Sequence, residues 1–433
     1  MDFRAQYVQE QRARTGSAHG QQEIGSNADE IYMMPDPSAR PQRIGFLFNH
    51  DELHQVAHIA PIISALQRLA PTASVEVISS SDRQQQAVEQ FLDPACPPPV
   101  FRSIRSHAGA RLFERLLGNI APLGRLSSLK QNTALFRNFD ALVVPETTTT
   151  FLKKNSQNSV PKLIFFPHGA GDRSIGFSKE ISLFDYVLLP GAKTRDRMLA
   201  AGVIRPDNHR IVGYPKFEAY ADRPPIKLFD NDKPTVLYNP HFDPLLSSWF
   251  RFGEQILDYF ANQRDYNLIF APHVMLFQRK LLASVEHRLL RFRERIDPRY
   301  ADFDHIHIDT GSARSVDMTY TRGADIYLGD VSSQIYEFIQ TPRPAIFINS
   351  HDAKWRDNPN YEHWTFGPVI DDIGRLGATL AEVTPLPDRY RQVQARALAY
   401  SFDMESPDLP SERAARAIAE FLHLPKQNDG LLK

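Results

Sequence analysis

The chain has 433 residues, enough for more than one domain and a large core. Its 50 basic and 51 acidic side chains leave a formal net charge of −1, so no global field favours nucleic acid as a partner. Cys96 is the only cysteine, which excludes an intrachain disulfide and a cysteine-based zinc site and suits a reducing cytoplasm.

Residues 1–16 lack the apolar core of a signal peptide, and no apolar run reaches the roughly 20 residues that span a bilayer. Residues 1–40 are polar and aperiodic and are expected to form a mobile segment. From Arg43 onward short apolar runs alternate with helical patterns. Arg43–Phe48 reads as a strand, followed by a helix reaching Leu69 with Pro71 beyond it. Ser74–Ser79, Asp140–Pro145, Lys162–Phe166, Tyr186–Leu189 and Arg210–Gly213 continue the strands. Residues 220–234, rich in Pro and Asp, read as a linker. A second alternation follows, with strands at Thr235–Tyr238, Asn267–Phe270, His305–Ile308, Ile326–Gly329 and Ala345–Ile348. A helix around Phe250–Gln263 and a basic helix around Gln278–Ile296 are expected among them. Residues 384–425 are mostly helical. The pattern implies an α/β chain of two doubly wound, Rossmann-like halves, 41–219 and 235–383, with C-terminal helices over 384–433. Ligands of such sheets bind at the carboxyl ends of the strands, here in a central cleft.

The stretch Gly323–Gln340 concentrates the chemistry. A strand runs out to Gly329-Asp330, and Ser332-Ser333 open a helix whose inward face is Ile335, Phe338 and Ile339. Pro342 and Pro344 stop it. Backbone N–H groups at such a helix start suit a phosphate. Glu337, four residues after Ser333, can reach a ribose hydroxyl beside it. The plain alternative is that the serines only cap the helix and Glu337 is solvated.

Two histidines hold matching places, His168 after the strand Lys162–Phe166 and His273 after Asn267–Phe270. Either imidazole can take a proton from a hydroxyl nucleophile, or can simply hold a backbone carbonyl. Gly169 beside His168 lets a ligand approach the backbone closely. His50, His54 and His58 recur every four residues. His50-Asp51-x-x-His54 departs from a zincin motif in having Asp for Glu, so no metal site is expected. His54 or His58 would instead touch a hydroxylated acceptor. His305 and His307 share a strand face and read as packing residues.

Taken together, FFPHGAGDRSIGF (165–177), FDYVLLPG (184–191), VGYPKFE (212–218), VLYNPHFDP (236–244), LIFAPH (268–273) and ADIYLGDVSSQIYEF (324–338) resemble the CDP-glycerol glycerophosphotransferase family, the teichoic-acid-polymerase-type enzymes of the GT-B fold. The resemblance spans roughly residues 160–350. It implies a GT-B transferase with an N-terminal acceptor domain and a C-terminal nucleotide-donor domain. His168 and His273 would be the catalytic histidines. Ser332, Ser333, Glu337, Arg173, Lys216 and Gly169 would hold the nucleotide and its phosphates, and His54, His58 and His241 would meet the acceptor. No cofactor is implied. The partners implied are a CDP-activated donor and a lipid-linked or polysaccharide acceptor. Tyr238-Asn239-Pro240-His241-Phe242-Asp243 departs from the family's Tyr-Ala-Pro-Thr-aromatic-Arg, which leaves other CDP- or UDP-linked donors open. A sugar transferase or epimerase on UDP-sugars is one alternative, and a non-catalytic nucleotide-binding protein is another.

Residues 101–138 carry seven Lys/Arg against Glu114 alone, interleaved with Leu112, Phe113, Leu116 and Leu117. Such a stretch can lie on the anionic inner face of a cell membrane, or pack on the first sheet with a solvated basic face.

Overall fold

The computed structural model describes residues 40–49, 53–104, 123–154, 160–169, 171–224, 226–284 and 287–425. The expected mobile segment, apart from Arg40, lies outside the described residues, as do His50 and the middle of the 101–138 stretch.

Seven parallel strands form the first sheet: β1 Arg43–Phe48, β2 Ser74–Ser79, β3 Val100–Ser103, β4 Ala141–Val144, β5 Lys162–Phe165, β6 Tyr186–Leu189 and β7 His209–Ile211. Their spatial order is β3-β2-β1-β4-β5-β6-β7, so the winding reverses between β1 and β4. The second lobe begins with β8 Thr235–Asn239 and β9 Asn267–Phe270 and then projects a separate antiparallel ribbon, β10 Leu281–Ser284 and β11 Leu289–Phe292. It resumes with β12 Ile306–Ile308, β13 Ile326–Gly329, β14 Ala345–Ile348 and β15 Val369–Ile370. This six-stranded parallel sheet has the order β12-β9-β8-β13-β14-β15, reversing between β8 and β13. Central strands such as β4 (ALVV) and β14 (AIFI) are buried along their whole length, because helices cover both faces of a parallel sheet.

Three local outcomes differ from the sequence reading. The single helix expected up to Leu69 is a 3-10 turn, Leu53–His58, followed by an α-helix, Ala60–Leu69. Pro61 enforces the break, since a proline without an N–H is tolerated in a helix's first turn and not in its interior. The basic helix expected over Gln278–Ile296 is the β10–β11 ribbon, whose first strand buries Leu282 and Ser284 with period two rather than a helical stripe. Strands β3 and β15, short and at the sheet edges, carried no apolar run long enough to signal them.

The C-terminal helices bring the chain back to its start. Helix Pro410–Phe421 packs Ala414 and Ile418 into the core that holds Ile62 and Ile63. Phe421 stacks on Tyr186 at 4.5 Å, and Glu218 caps the helix by accepting from Ser411 N at 2.9 Å and Ser411 Oγ at 2.6 Å. No helix among the described residues is long and apolar enough to cross a membrane.

Candidate active site

The carboxyl ends of both sheets open onto one cavity of about 470 Å³ between the lobes. Both points where the winding reverses face it, which is where doubly wound sheets leave room for a ligand. The residues singled out in the sequence gather there. His54, His58, His168, Gly169, Arg173 and Lys216 line it from the first lobe, and His241, His273, Ser332, Ser333 and Glu337 from the second.

Five histidines form a chain across the gap. Ring centroids are 6.5 Å apart for His58 and His168, 6.1 Å for His168 and His54, 6.4 Å for His54 and His273, and 5.6 Å for His273 and His241. The proline break explains the placement of His54 and His58, because the 3-10 turn it creates carries both at the cavity wall.

Backbone contacts fix the tautomers, and the two lobes differ. His168 Nδ1 lies 2.7 Å from the Pro145 carbonyl, so Nδ1 carries the proton and Nε2 keeps a lone pair. In the second lobe His241 Nδ1 accepts from Asp243 N at 3.0 Å and His273 Nδ1 accepts from Met275 N at 3.3 Å. Each of those rings therefore carries its proton on Nε2. The first lobe presents a proton acceptor and the second presents two donors.

Burial favours the neutral form of His58, His168, His241 and His273. Desolvation lowers His168 even though the Pro145 hydrogen bond and Glu146 act the other way. The His168 ring is open to the cavity, but the cavity walls surround it and keep bulk water from stabilising an imidazolium. Desolvation lowers His273 to about 4, and it pushes His241 well down with help from the Arg173 charge. His58, 2% exposed, is also well below the usual value through burial and the nearby Lys216.

Around Ser332 the geometry is tighter than the sequence suggested. The helix behind the serines is short, Gln334–Phe338, and Ser332 Oγ accepts from Gln334 N at 3.3 Å. A side chain added at Gly171 would come within 3.3 Å of Ser333 Cβ, so the His168 loop passes directly over this corner. Lys216 does not stand free for phosphate: its Nζ lies 2.5 Å from Glu337 Oε1. Glu337 is 7% exposed, and its Oε2 has no hydrogen-bond partner among the described residues. Burial raises the Glu337 carboxyl even with Lys216 beside it. Gly213, at φ +82°, turns the chain from β7 into the helix Pro215–Ala219 that carries Lys216.

Sequence reasoning missed a second buried cluster. Asp172 accepts from Lys193 Nζ at 2.8 Å within its own lobe, and from Tyr336 OH at 2.8 Å and His363 Nδ1 at 2.7 Å across the gap. Burial alone would raise the Asp172 carboxyl, but Lys193 and the His363 hydrogen bond hold it well below the usual range. Asp172 and Tyr336 sit inside quoted motifs, yet nothing local marks them as partners. Asp330, wholly buried, accepts from the backbone N–H of His241, Ser248 and Val331 and so ties the loop after β8 to the end of β13. His305 and His307 bond the Phe260 carbonyl and Tyr320 OH away from the cavity, as packing residues do.

No protein-family model matches the chain, and no curated protein matches it. Solved structures do. S. aureus MnaA, solved with UDP, shares 13% identity at a TM-score of 0.56, covering 89% of this chain and 98% of that one. A UDP-N-acetylglucosamine 2-epimerase shares 12% identity at a TM-score of 0.56, covering 91% of this chain and 100% of that one. The wall teichoic acid polymerase TagF shares 13% identity at a TM-score of 0.54, covering 89% of each chain. With its two parallel sheets and the cleft between them, the chain has the GT-B fold.

Proposed function

We propose that this chain is an enzyme that transfers glycerol phosphate, or a related group, from a CDP-activated donor to a hydroxyl of a cell-envelope glycan. The observation that carries the reading is the asymmetry of the histidines. An unprotonated Nε2 on His168 faces a cavity whose opposite wall holds the Nε2–H donors of His241 and His273. In this reading an acceptor hydroxyl gives its proton to His168 Nε2 while its oxygen attacks the donor phosphorus. The bond from that phosphorus to the leaving CMP oxygen breaks, and CMP departs with the electron pair. Ser333, Arg173 and the His273 N–H would stabilise the charge that develops. Glu337, with an unpartnered oxygen in the same cavity, would receive a ribose hydroxyl. Residues 41–219 would carry the acceptor and 235–383 the donor, at the cytoplasmic face of the envelope.

The cavity's carboxylates favour a hydroxyl acceptor over carbon-acid chemistry. Asp172 is held by Lys193, Tyr336 and His363, Glu146 accepts from Thr149 N and Thr149 Oγ1, and Glu337 is paired with Lys216. A second reading, a UDP-sugar transferase or epimerase, is favoured by the near-complete coverage of MnaA and the epimerase chain.

The test incubates the purified protein with CDP-glycerol or with UDP-N-acetylglucosamine and follows nucleotide release and sugar epimerisation. CMP release that requires an acceptor and disappears in His168→Ala, with CDP-glycerol binding retained, supports the first reading. UDP release or epimerisation without any CMP overturns it in favour of the second. Nucleotide binding without turnover of either donor would mark a binding protein.

A further inference from the structure

The β10–β11 ribbon is built inside out. Its register pairs Leu281 with Phe292 and Ala283 with Leu290 on one face, while Leu282 and Ser284 alternate onto the other. Leu282 and Ser284 turn inward, 1% and 2% exposed. The outward face is the apolar one: Leu281 is 46%, Leu290 60% and Phe292 77% exposed. These three are half of the large hydrophobic side chains found exposed among the described residues, where a solvated ribbon face would carry polar ones.

The segment that forms the ribbon is also basic. From 279 to 295 the sequence holds Arg279, Lys280, Arg288, Arg291, Arg293 and Arg295 against Glu286 and Glu294, a local charge of six minus two, or +4, in a chain whose total is −1. Lys280, Arg288 and Arg295 are exposed, while Arg291 pairs with Leu282 on the other face and lies over the Phe250 ring at 6.0 Å. Arg293 lies over the Phe277 ring at 4.3 Å, which braces the ribbon against the helix Met275–Gln278.

We propose that this ribbon docks the protein on an anionic phospholipid surface, with Leu281, Leu290 and Phe292 entering the headgroup–acyl boundary and the exposed Lys280, Arg288 and Arg295 meeting the headgroup phosphates. A bilayer interface supplies both an apolar layer and negative charge, which matches both features of the ribbon. A nucleic acid would satisfy the cations and leave the apolar face uncovered. A second copy docked by the same face would bring two ribbons of like net charge together. The helix Met275–Gln278 joins β10 to the His273 loop, so docking sets the surface one short helix from the cavity mouth. The proposal rests on the transferase reading only in naming where a lipid-linked acceptor would be met, because membrane binding and turnover are measured separately.

The experiment is co-sedimentation of the full chain with phosphatidylcholine vesicles, with and without phosphatidylglycerol. Binding is expected to the mixed vesicles and to weaken with added salt. The pair Leu290→Ser and Phe292→Ser is expected to lower partitioning by about tenfold or more, since both side chains lose their apolar insertion. Arg288→Gln and Arg295→Gln should each lower it by about fivefold. All of these positions are exposed, so the variants should melt with the parent and keep its turnover of a soluble acceptor. Failure of the parent to bind mixed vesicles, or full binding by the Leu290/Phe292 variant, overturns the proposal and, in the second case, points to the 101–138 stretch. A parent that is a dimer and a variant that is a monomer would overturn it in favour of a second copy.

Discussion

Lys216 Nζ and Glu337 Oε1 lie 2.5 Å apart, and both side chains are buried where the two lobes meet. The pair joins a helix that follows β7 to one that follows β13, so it is a tether across the cleft as well as part of its wall. Removing one member leaves the other buried without its counter-charge. Lys216→Met is expected to lower stability by about 3 kcal/mol, the low end of the range for breaking a buried pair, because Glu337 can take up a proton. The double variant Lys216→Met/Glu337→Leu should cost less than the sum of the two single changes in urea unfolding.

Asp172 holds the second tether. Asp172→Asn keeps the shape but removes the carboxylate charge that buried Lys193 contacts and weakens the bonds to Tyr336 and His363. A loss of about 3–5 kcal/mol is expected. Thermal melts with and without nucleotide read this out. Because the same loop carries His168, four residues earlier, the variant should also weaken ligand stabilisation, which raises a melting point only through binding to the native state.

Stability should fall on mild acidification. His58, His168, His241 and His273 all have folded values below the usual imidazole value, through burial. The unfolded chain then binds more protons than the native one as pH falls below about 6.5. Their contribution is complete above that pH and is lost as pH drops toward the folded values, about 4 for His273. Urea midpoints should fall between pH 7 and pH 5, and His273→Phe should flatten that slope.

The same shift governs activity. A neutral His168 is the competent base, and its folded value is lowered by burial. The acid limb of kcat/KM should therefore have its midpoint below the ordinary imidazole value of about 6.5. An acid limb centred above that value would remove His168 as the base.

Gly191 reports on the C-terminal return. A side chain there would lie 2.3 Å from the Ser401 carbonyl oxygen, at the end of helix Asp388–Ser401. The backbone at Gly191 is extended, so the obstacle is contact rather than conformation. Gly191→Ala is expected to cost about 1–3 kcal/mol by forcing the helix away. Chemical denaturation measures it.

Much of this architecture is legible in the chain read alone. Apolar runs such as ALVV at β4 and AIFI at β14 can satisfy their backbone and bury both faces only as central strands of a helix-covered sheet. Alternation of such runs with helical periods implies two doubly wound lobes, and strand-end loops then nominate His168, His273 and Ser332 as neighbours. Those inferences rest on local periodicity and topology, which a linear sequence carries. Other features depend on residues far apart in the chain. Lys216 meets Glu337, and Asp172 meets His363, only because two sheets face each other closely enough to desolvate their ends. The ribbon at β10–β11 replaced an expected helix because both periods fit its apolar spacing, and only pairing across the turn selected one of them. Charge pairing, tautomer and protonation state follow from what each side chain is packed against, and that is decided when the lobes come together.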